Sequence, residues 1–258
     1  MKNIRIKLTG SPTLKEASIH QDFHSITLST QTIQLENLIC DPPVHGTVYG
    51  TLLNYKGELE ALGDQVHNAP YQKPPVAPVL YIKPVNTLSG MHHSIPLPAD
   101  ATHLSVGAAL AVVFNETASN VTEQKALDYV LGYTIANDVS IPHDMYFRPA
   151  IKQKARDGFC PIGPYIILKE HVKDPDHLTV RVFVNGELKQ ENTTANLIRS
   201  VSKLISDVSS FMTFYKGDVL LIGVPENKPL VQNGDVVRIE LEGIGYLENV
   251  VQLEEVKG

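Results

Sequence analysis

At 258 residues, with a net charge of −6 and two cysteines, the chain is sized for one large domain that can bury its own core without covalent staples. Its 22 basic residues are scattered among 28 acidic ones rather than gathered into tails, which disfavours a nucleic-acid partner. Cys40 and Cys160 stand alone, so neither a disulfide framework nor a thiolate metal site follows from them, and a reducing, cytoplasmic location is expected.

The first seven residues alternate basic and apolar and never reach the apolar core of a signal peptide. No later run is long enough to span a bilayer, so no membrane association is expected. Residues 1–46 read as a short strand-rich segment broken at Pro42-Pro43, ahead of a domain at 47–258. A proline-dense stretch from Pro70 to Pro78 excludes helix and reads as a connector into a strand at Val79–Lys83. Leu110–Phe114 is a continuous apolar run of buried-strand length. Thr122 then offers an N-cap to a short helix, with Ala126, Tyr129 and Val130 on one face and Gly132 as the stop.

Leu178–Val184 alternates and runs into Asn185-Gly186, the strongest short hairpin signal a sequence carries. A second such pair, Asn233-Gly234, leads into another strand at 235–241. Between them Leu197, Val201, Leu204, Ile205 and Val208 recur at helical spacing, which predicts one long amphipathic helix. The fold class is therefore α+β, mainly β, with few helices. There is no alternating strand–helix rhythm, no Gly-x-Gly-x-x-Gly fingerprint and no phosphate-binding loop, which disfavours a nucleotide fold.

Chemistry concentrates in one place. Residues 132–161 hold four cations and three carboxylates beside apolar segments. One reading is a cleft for an anionic substrate, with Arg148, Lys154 and Arg156 binding carboxylates and Asp138 or Asp157 serving a metal or moving protons. The other is a solvated loop laced with surface ion pairs. His143-Asp144 reads as a surface pair, and His92-His93, neighbours in an extended segment, point to opposite faces. Cys160 beside the cluster reads as a buried, inert thiol.

Over these residues the chain resembles the fumarylacetoacetate hydrolase family. The likeness is carried by Tyr129–Asp138, Tyr146-Phe-Arg148-Pro149 and Lys154-Ala-Arg156-Asp157-Gly158-Phe-Cys-Pro161-Ile-Gly163. Val48–Tyr55, Ile82–Thr87, Val184–Glu187 and Gly217–Leu221 support it, so that it extends from residue 47 to about 252. The resemblance implies a mainly β fold that acts on 2-oxo diacids through an enolate held on a divalent cation, usually magnesium. Within the family it leans to the branch that decarboxylates 5-carboxymethyl-2-oxo-hex-3-ene-1,7-dioate and isomerises 2-hydroxyhepta-2,4-diene-1,7-dioate. There two units are fused or paired. Carried onto this sequence, Lys154 and Asp157 become catalytic, Lys83, Tyr146, Arg148 and Arg156 bind substrate, and Asp138 is a metal ligand.

Three elements depart from the family pattern. The family's Glu-x-Glu, which completes the metal site, is replaced by Gly107 and Ala109, leaving Asp138 alone for a cation that needs several oxygen ligands. The lid's His-x-x-Glu is replaced after Asn54-Tyr55 by a stretch whose acids, Glu58 and Glu60, read as helix-surface residues or as proton carriers. Thr-Gly-Thr-Pro becomes Ile222-Gly223-Val224-Pro225, which loses two hydroxyl donors. The expectation is a unit of the isomerase/decarboxylase system with weak or absent magnesium. It would be either active on its diacid or a non-catalytic accessory or small-molecule-binding subunit, as a homodimer or a heteromer with a metal-binding paralogue.

Overall fold

The computed structural model describes residues 1–143 and 148–254. Its first strands are β1 (Lys2–Ile6), β2 (Lys15–Ile19), β3 (Ser25–Leu28), β4 (Gln31–Gln34), β5 (Val48–Leu52) and β6 (Val79–Lys83). There follow β7 (Leu88–Ser89), β8 (Ser94–Leu97), β9 (Leu104–Ser105), β10 (Ala108–Phe114), β11 (Val130–Asn137) and β12 (Cys160–Leu168). The last are β13 (Thr179–Val184), β14 (Glu187–Thr193), β15 (Val219–Leu221), β16 (Leu230–Val231), β17 (Val236–Leu241) and β18 (Gly245–Leu253). The α-helices are short: α1 (Lys56–Glu60), α2 (Ile151–Lys154) and α3 (Val201–Ser209). The fold is mainly β. Among the described residues no helix is long and apolar enough to cross a membrane.

The largest sheet runs β4-β3-β2-β1-β12-β11-β10-β15-β5-β6. At its centre β10 is buried along its whole length, paired with β11 on one side and β15 on the other, as a run of alanine, valine and phenylalanine demands. The N-terminal hairpins lengthen this sheet by pairing β1 with β12. A second sheet, β14-β13-β17-β18-β8, has one wet face, and β13 and β17 alternate accordingly. Asn185 and Gly186, at φ 53° and 80°, make the hairpin turn between β13 and β14.

Two sequence expectations shift. The segment after Thr122 is a 3-10 helix, Glu123–Tyr129, without a side-chain cap, and Val130 already belongs to β11. Gly132 lies within that strand rather than stopping a helix, because the β-forming run Val130–Ala136 continues straight into sheet pairing. The helix expected from Leu197 is nine residues long and starts at Val201, where the Ser200 hydroxyl accepts from the Lys203 amide; Leu197 packs ahead of it in a turn.

The curvature of the large sheet positions the site. In a flat sheet, four interstrand steps would put β6 about 19 Å from β11, beyond the reach of a lysine. Yet Lys83 at the end of β6 donates to the carbonyl of Val139, just past β11, at 3.0 Å. The sheet therefore coils back on itself and brings its edge strand over the end of β11.

Candidate functional site

Asp138 follows the last residue of β11, and its side chain is only 2% exposed. Three groups converge on it. The Lys154 ammonium donates to Oδ2 at 2.7 Å, the Tyr81 hydroxyl donates to the same oxygen, and the Lys83 ammonium lies 2.9 Å from Oδ1. That last contact is an ion pair off the hydrogen-bond direction, because Lys83 also donates to the carbonyls of Val139 and Lys154 at 3.0 and 2.8 Å. Lys83 is thus fixed among three oxygens.

Strand geometry explains why these side chains meet. Tyr81 and Lys83 are two apart on β6 and so share a face. Gly50 of β5 lies directly opposite Tyr81, and a Cβ there would fall 2.0 Å from the ring, so the glycine gives the ring its place across the strand. Lys154 closes α2, and its ammonium lies 4.6 Å from the centre of the same ring.

The electrostatics follow from the count of charges. Burial alone would raise the Asp138 carboxyl, but the ammonium groups of Lys154 and Lys83, with the hydrogen bonds, outweigh it and hold the carboxyl well below the usual range. Lys154 is shifted down by burial first, then by the ammonium groups of Lys83 and Lys228, with Asp138 opposing. Both shifts can run downward because two ammonium groups share one carboxylate. Burial, then Asp138, pushes the Tyr81 phenol upward, so it stays a donor. Burial pushes the Cys160 thiol up to about 12, so it is no nucleophile.

Beside the cluster opens a cavity of about 620 Å³, lined mainly by apolar side chains such as Leu52, Val79 and Ile151, with Tyr81, Lys154, His143 and Arg148 as its polar members. Arg148 is exposed at its mouth. His143 is half-buried, its Nδ1 lies 3.0 Å from the Ile141 carbonyl, and burial draws its pKa down; it is a wall residue rather than a surface one. Tyr146 and Asp144 lie outside the described residues.

Other expected members go elsewhere. One guanidinium nitrogen of Arg156 donates to both oxygens of Asp100 at 2.9 Å, and Asp157 accepts from Asn86 at 2.7 Å; neither lines the cavity. The reason is local: α2 ends at Lys154, and the turn after it places residues 156 and 157 beside Pro96 and Pro98, in a separate cavity. Glu58 corrects the helix-surface reading. Its side chain is 4% exposed, accepts from the Leu53 amide at 2.6 Å and pairs with Lys228 at 3.3 Å, whereas Glu60 is exposed. Burial raises the Glu58 carboxyl. Tyr81 was missed, although its two-residue spacing from Lys83 on a strand was a legible signal.

The donor set does not suit the divalent cation that the resemblance implies. Positions 107 and 109 carry no oxygen ligands, and a Cβ on Gly107 would lie 2.4 Å from the carbonyl oxygen of Asp138. Gly107 is further clamped by its amide to Asn137 Oδ1 at 3.0 Å and by its carbonyl to the Asp138 amide at 2.8 Å. Among the described residues no group of three or more His, Cys, Asp or Glu could hold an ion. A cation on Asp138 would face two ammonium groups within 3 Å of its ligand. The residues present do not fit magnesium; the lysines supply the positive charge.

Residues 47–252 match the family described as Fumarylacetoacetate (FAA) hydrolase C-terminal. The chain is 41% identical over 206 residues to the 4-hydroxyphenylacetate degradation bifunctional isomerase/decarboxylase of Escherichia coli, covering 80% of this chain and 47% of that protein. It thus spans about half the length of such curated relatives. Among solved structures, 5-carboxymethyl-2-hydroxymuconate delta-isomerase from Mycobacterium smegmatis is similar with a TM-score of 0.80 and 30% identity, over 99% of this chain and 100% of that one. The 2-hydroxyhepta-2,4-diene-1,7-dioate isomerase from Mycobacterium marinum gives 0.78 and 27%, over 98% and 99%.

Proposed function

The chain belongs to the fumarylacetoacetate hydrolase family, and from that membership we propose that it binds unsaturated 2-oxo diacids of aromatic catabolism and acts in their isomerisation and decarboxylation. It works as one unit of a two-unit assembly, with a copy of itself or with a paralogue that retains the metal-binding carboxylates. The relatives' names support the reaction class, and a relative of about twice the matched length supports the two-unit arrangement. The observation that carries the reading is the Lys83–Asp138–Lys154 cluster beside an apolar cavity with Arg148 at its mouth.

Both reactions leave negative charge on the oxygen at C2 of the acid when a proton or carbon dioxide departs. In a cavity walled by apolar side chains, a fixed ammonium stabilises such charge far better than water does. Lys154 stands at the wall to meet that oxygen or the neighbouring carboxylate, and Lys83 and Asp138 hold it there. Arg148, out at the mouth, suits the far carboxylate through a charge-assisted pair.

The test is calorimetric titration of the purified chain with 2-hydroxyhepta-2,4-diene-1,7-dioate in EDTA, with loss of the diene absorbance followed alongside. Binding should survive EDTA and weaken roughly tenfold in Arg148→Ala. Conversion by the chain alone assigns it the chemistry. Binding with conversion only after a carboxylate-complete unit is added assigns it the accessory role. Failure to bind the diacid sinks the reading.

A further inference from the structure

We propose that His143 is the base of this site: its Nε2 takes a proton from a bound 2-oxo acid and returns it to carbon, while Lys154 meets the negative charge on the oxygen at C2. This rests on the reading of the cavity as a 2-oxo-acid site and adds the group that moves the proton.

Shifting a double bond beside a 2-oxo acid requires a group that both accepts and releases a proton near neutral pH. Among the described residues that line the cavity, four side chains are titratable: Tyr81, His143, Arg148 and Lys154. Three of them are donors here. The Arg148 guanidinium keeps its proton throughout, the Lys154 ammonium is paired with Asp138 at 2.7 Å, and the Tyr81 hydroxyl donates to the same carboxylate. His143 is left as the acceptor.

The backbone sets its tautomer. The carbonyl of Ile141 can only accept, so Nδ1, 3.0 Å away, carries the hydrogen and donates it. In the neutral ring the basic lone pair then belongs to Nε2. The segment that carries the ring is itself held, because the Ile141 amide donates to the carbonyl of Gln153, within α2, at 3.0 Å. Lys154 closes that helix, so the accepting and the charge-stabilising side chains are braced on one element. The charges facing His143 are the ammonium groups of Lys154 and Lys228 and the carboxylate of Asp138, with Arg148 on the same cavity wall. Burial favours the neutral ring first; the bond to Ile141 opposes it, the two ammonium groups add to it, and Asp138 opposes least, so the net shift is downward from 6.5. At pH 7 the ring is neutral and can accept.

The proton count closes on the imidazole alone. In a 2-hydroxy-2,4-diene, Nε2 takes the hydroxyl proton, the oxygen becomes a carbonyl, and the electron pairs move along the chain to C5. The imidazolium gives its proton to C5, which leaves a double bond conjugated with the 2-oxo group and a neutral ring. In a saturated 2-oxo acid the same nitrogen takes a proton from C3, and the C–H pair forms the enolate whose oxygen Lys154 meets. Return of a proton to C3 restores the acid.

The experiment places the full chain with 2-oxoadipate in deuterium oxide and follows loss of the C3 hydrogens by NMR, with calorimetry of 2-oxoadipate in parallel. The expected result is exchange faster than in buffer, reduced roughly hundredfold or more in His143→Gln while binding is retained. In the unmodified chain the rate should rise with pH and be level by about pH 8, since the base acts when neutral and its pKa lies below the ordinary value. Binding without exchange, exchange unchanged in His143→Gln, or a rate still climbing at about pH 8 overturns the role of His143 and leaves the 2-oxo-acid reading intact. Neither binding nor exchange removes both. Should His143→Gln fail to fold, the pH profile of the unmodified chain decides the matter.

Discussion

Two carboxylates in this molecule each sit between two cations, and they behave as opposites. Asp138 lies between Lys83 and Lys154 with 2% of its side chain exposed; Asp100 lies between Lys152 and Arg156 with 48% exposed. The partners are of the same kind and the distances nearly the same, 2.7 to 3.0 Å. The difference is the surrounding dielectric. Around Asp100 water can replace either partner, so the pairs hold a turn loosely and are screened by salt. Around Asp138 no water competes, and removing the carboxylate strands two ammonium groups in the interior. An ion-pair motif becomes a site only where the fold denies it solvent.

The largest expected effect breaks the comparison directly. Asp138→Asn should lower unfolding stability by about 3–5 kcal/mol, as stranding buried charge does. Asp100→Asn should leave the urea midpoint unchanged. Equal midpoints for the two variants would show that the Asp138 cluster is hydrated in solution.

Acid titration sharpens the same contrast with a smaller effect. The Asp138 carboxyl sits below its unfolded value of about 4, so its contribution is fully present above that value and is lost as pH falls through it toward the folded value. Asp100 is lowered too, by hydrogen bonds from Lys152 and then Arg156, but with about half of its side chain open to solvent. Stability measured from pH 6 down to 3 should fall in the wild type, and in Asp100→Asn as well, while Asp138→Asn flattens the slope. In 1 M salt the Asp138 component should persist.

Why the sequence could not separate these two clusters is instructive. The stretch 132–161 shows Lys152, Lys154 and Arg156 at equal spacing, and nothing in the spacing says which is buried. The answer depends on partners far along the chain: Lys83, 55 residues before Asp138, and Asp100, 56 residues before Arg156. Only the coiling of the sheet delivers the first. Local signals did better where the physics is local. The buried run at β10, the Asn185-Gly186 turn and the alternation of β13 were all legible, because period and turn chemistry act within a few residues. Gly107 and Ala109 were legible as missing ligands. The backbone clamp on Gly107 was not, since the atoms it would strike belong to residue 138. The same holds for Glu58, whose burial depends on Lys228 from a distant loop.

The smallest expected effect bears on the asymmetry inside the buried cluster. Both lysines touch Asp138, but truncating them should differ in stability because Lys83 also serves two buried carbonyls. Lys83→Met strips the carbonyls of Val139 and Lys154 of a buried donor, which costs about 1–3 kcal/mol. Lys154→Met removes one hydrogen bond to an oxygen that Tyr81 still serves, and it leaves Asp138 with the single ammonium of Lys83, so the two changes nearly cancel, to within about 1 kcal/mol. Urea unfolding of both variants at pH 7 reads the difference. The reverse order would make Lys154 the ammonium on which Asp138 depends and the two carbonyl bonds of Lys83 dispensable.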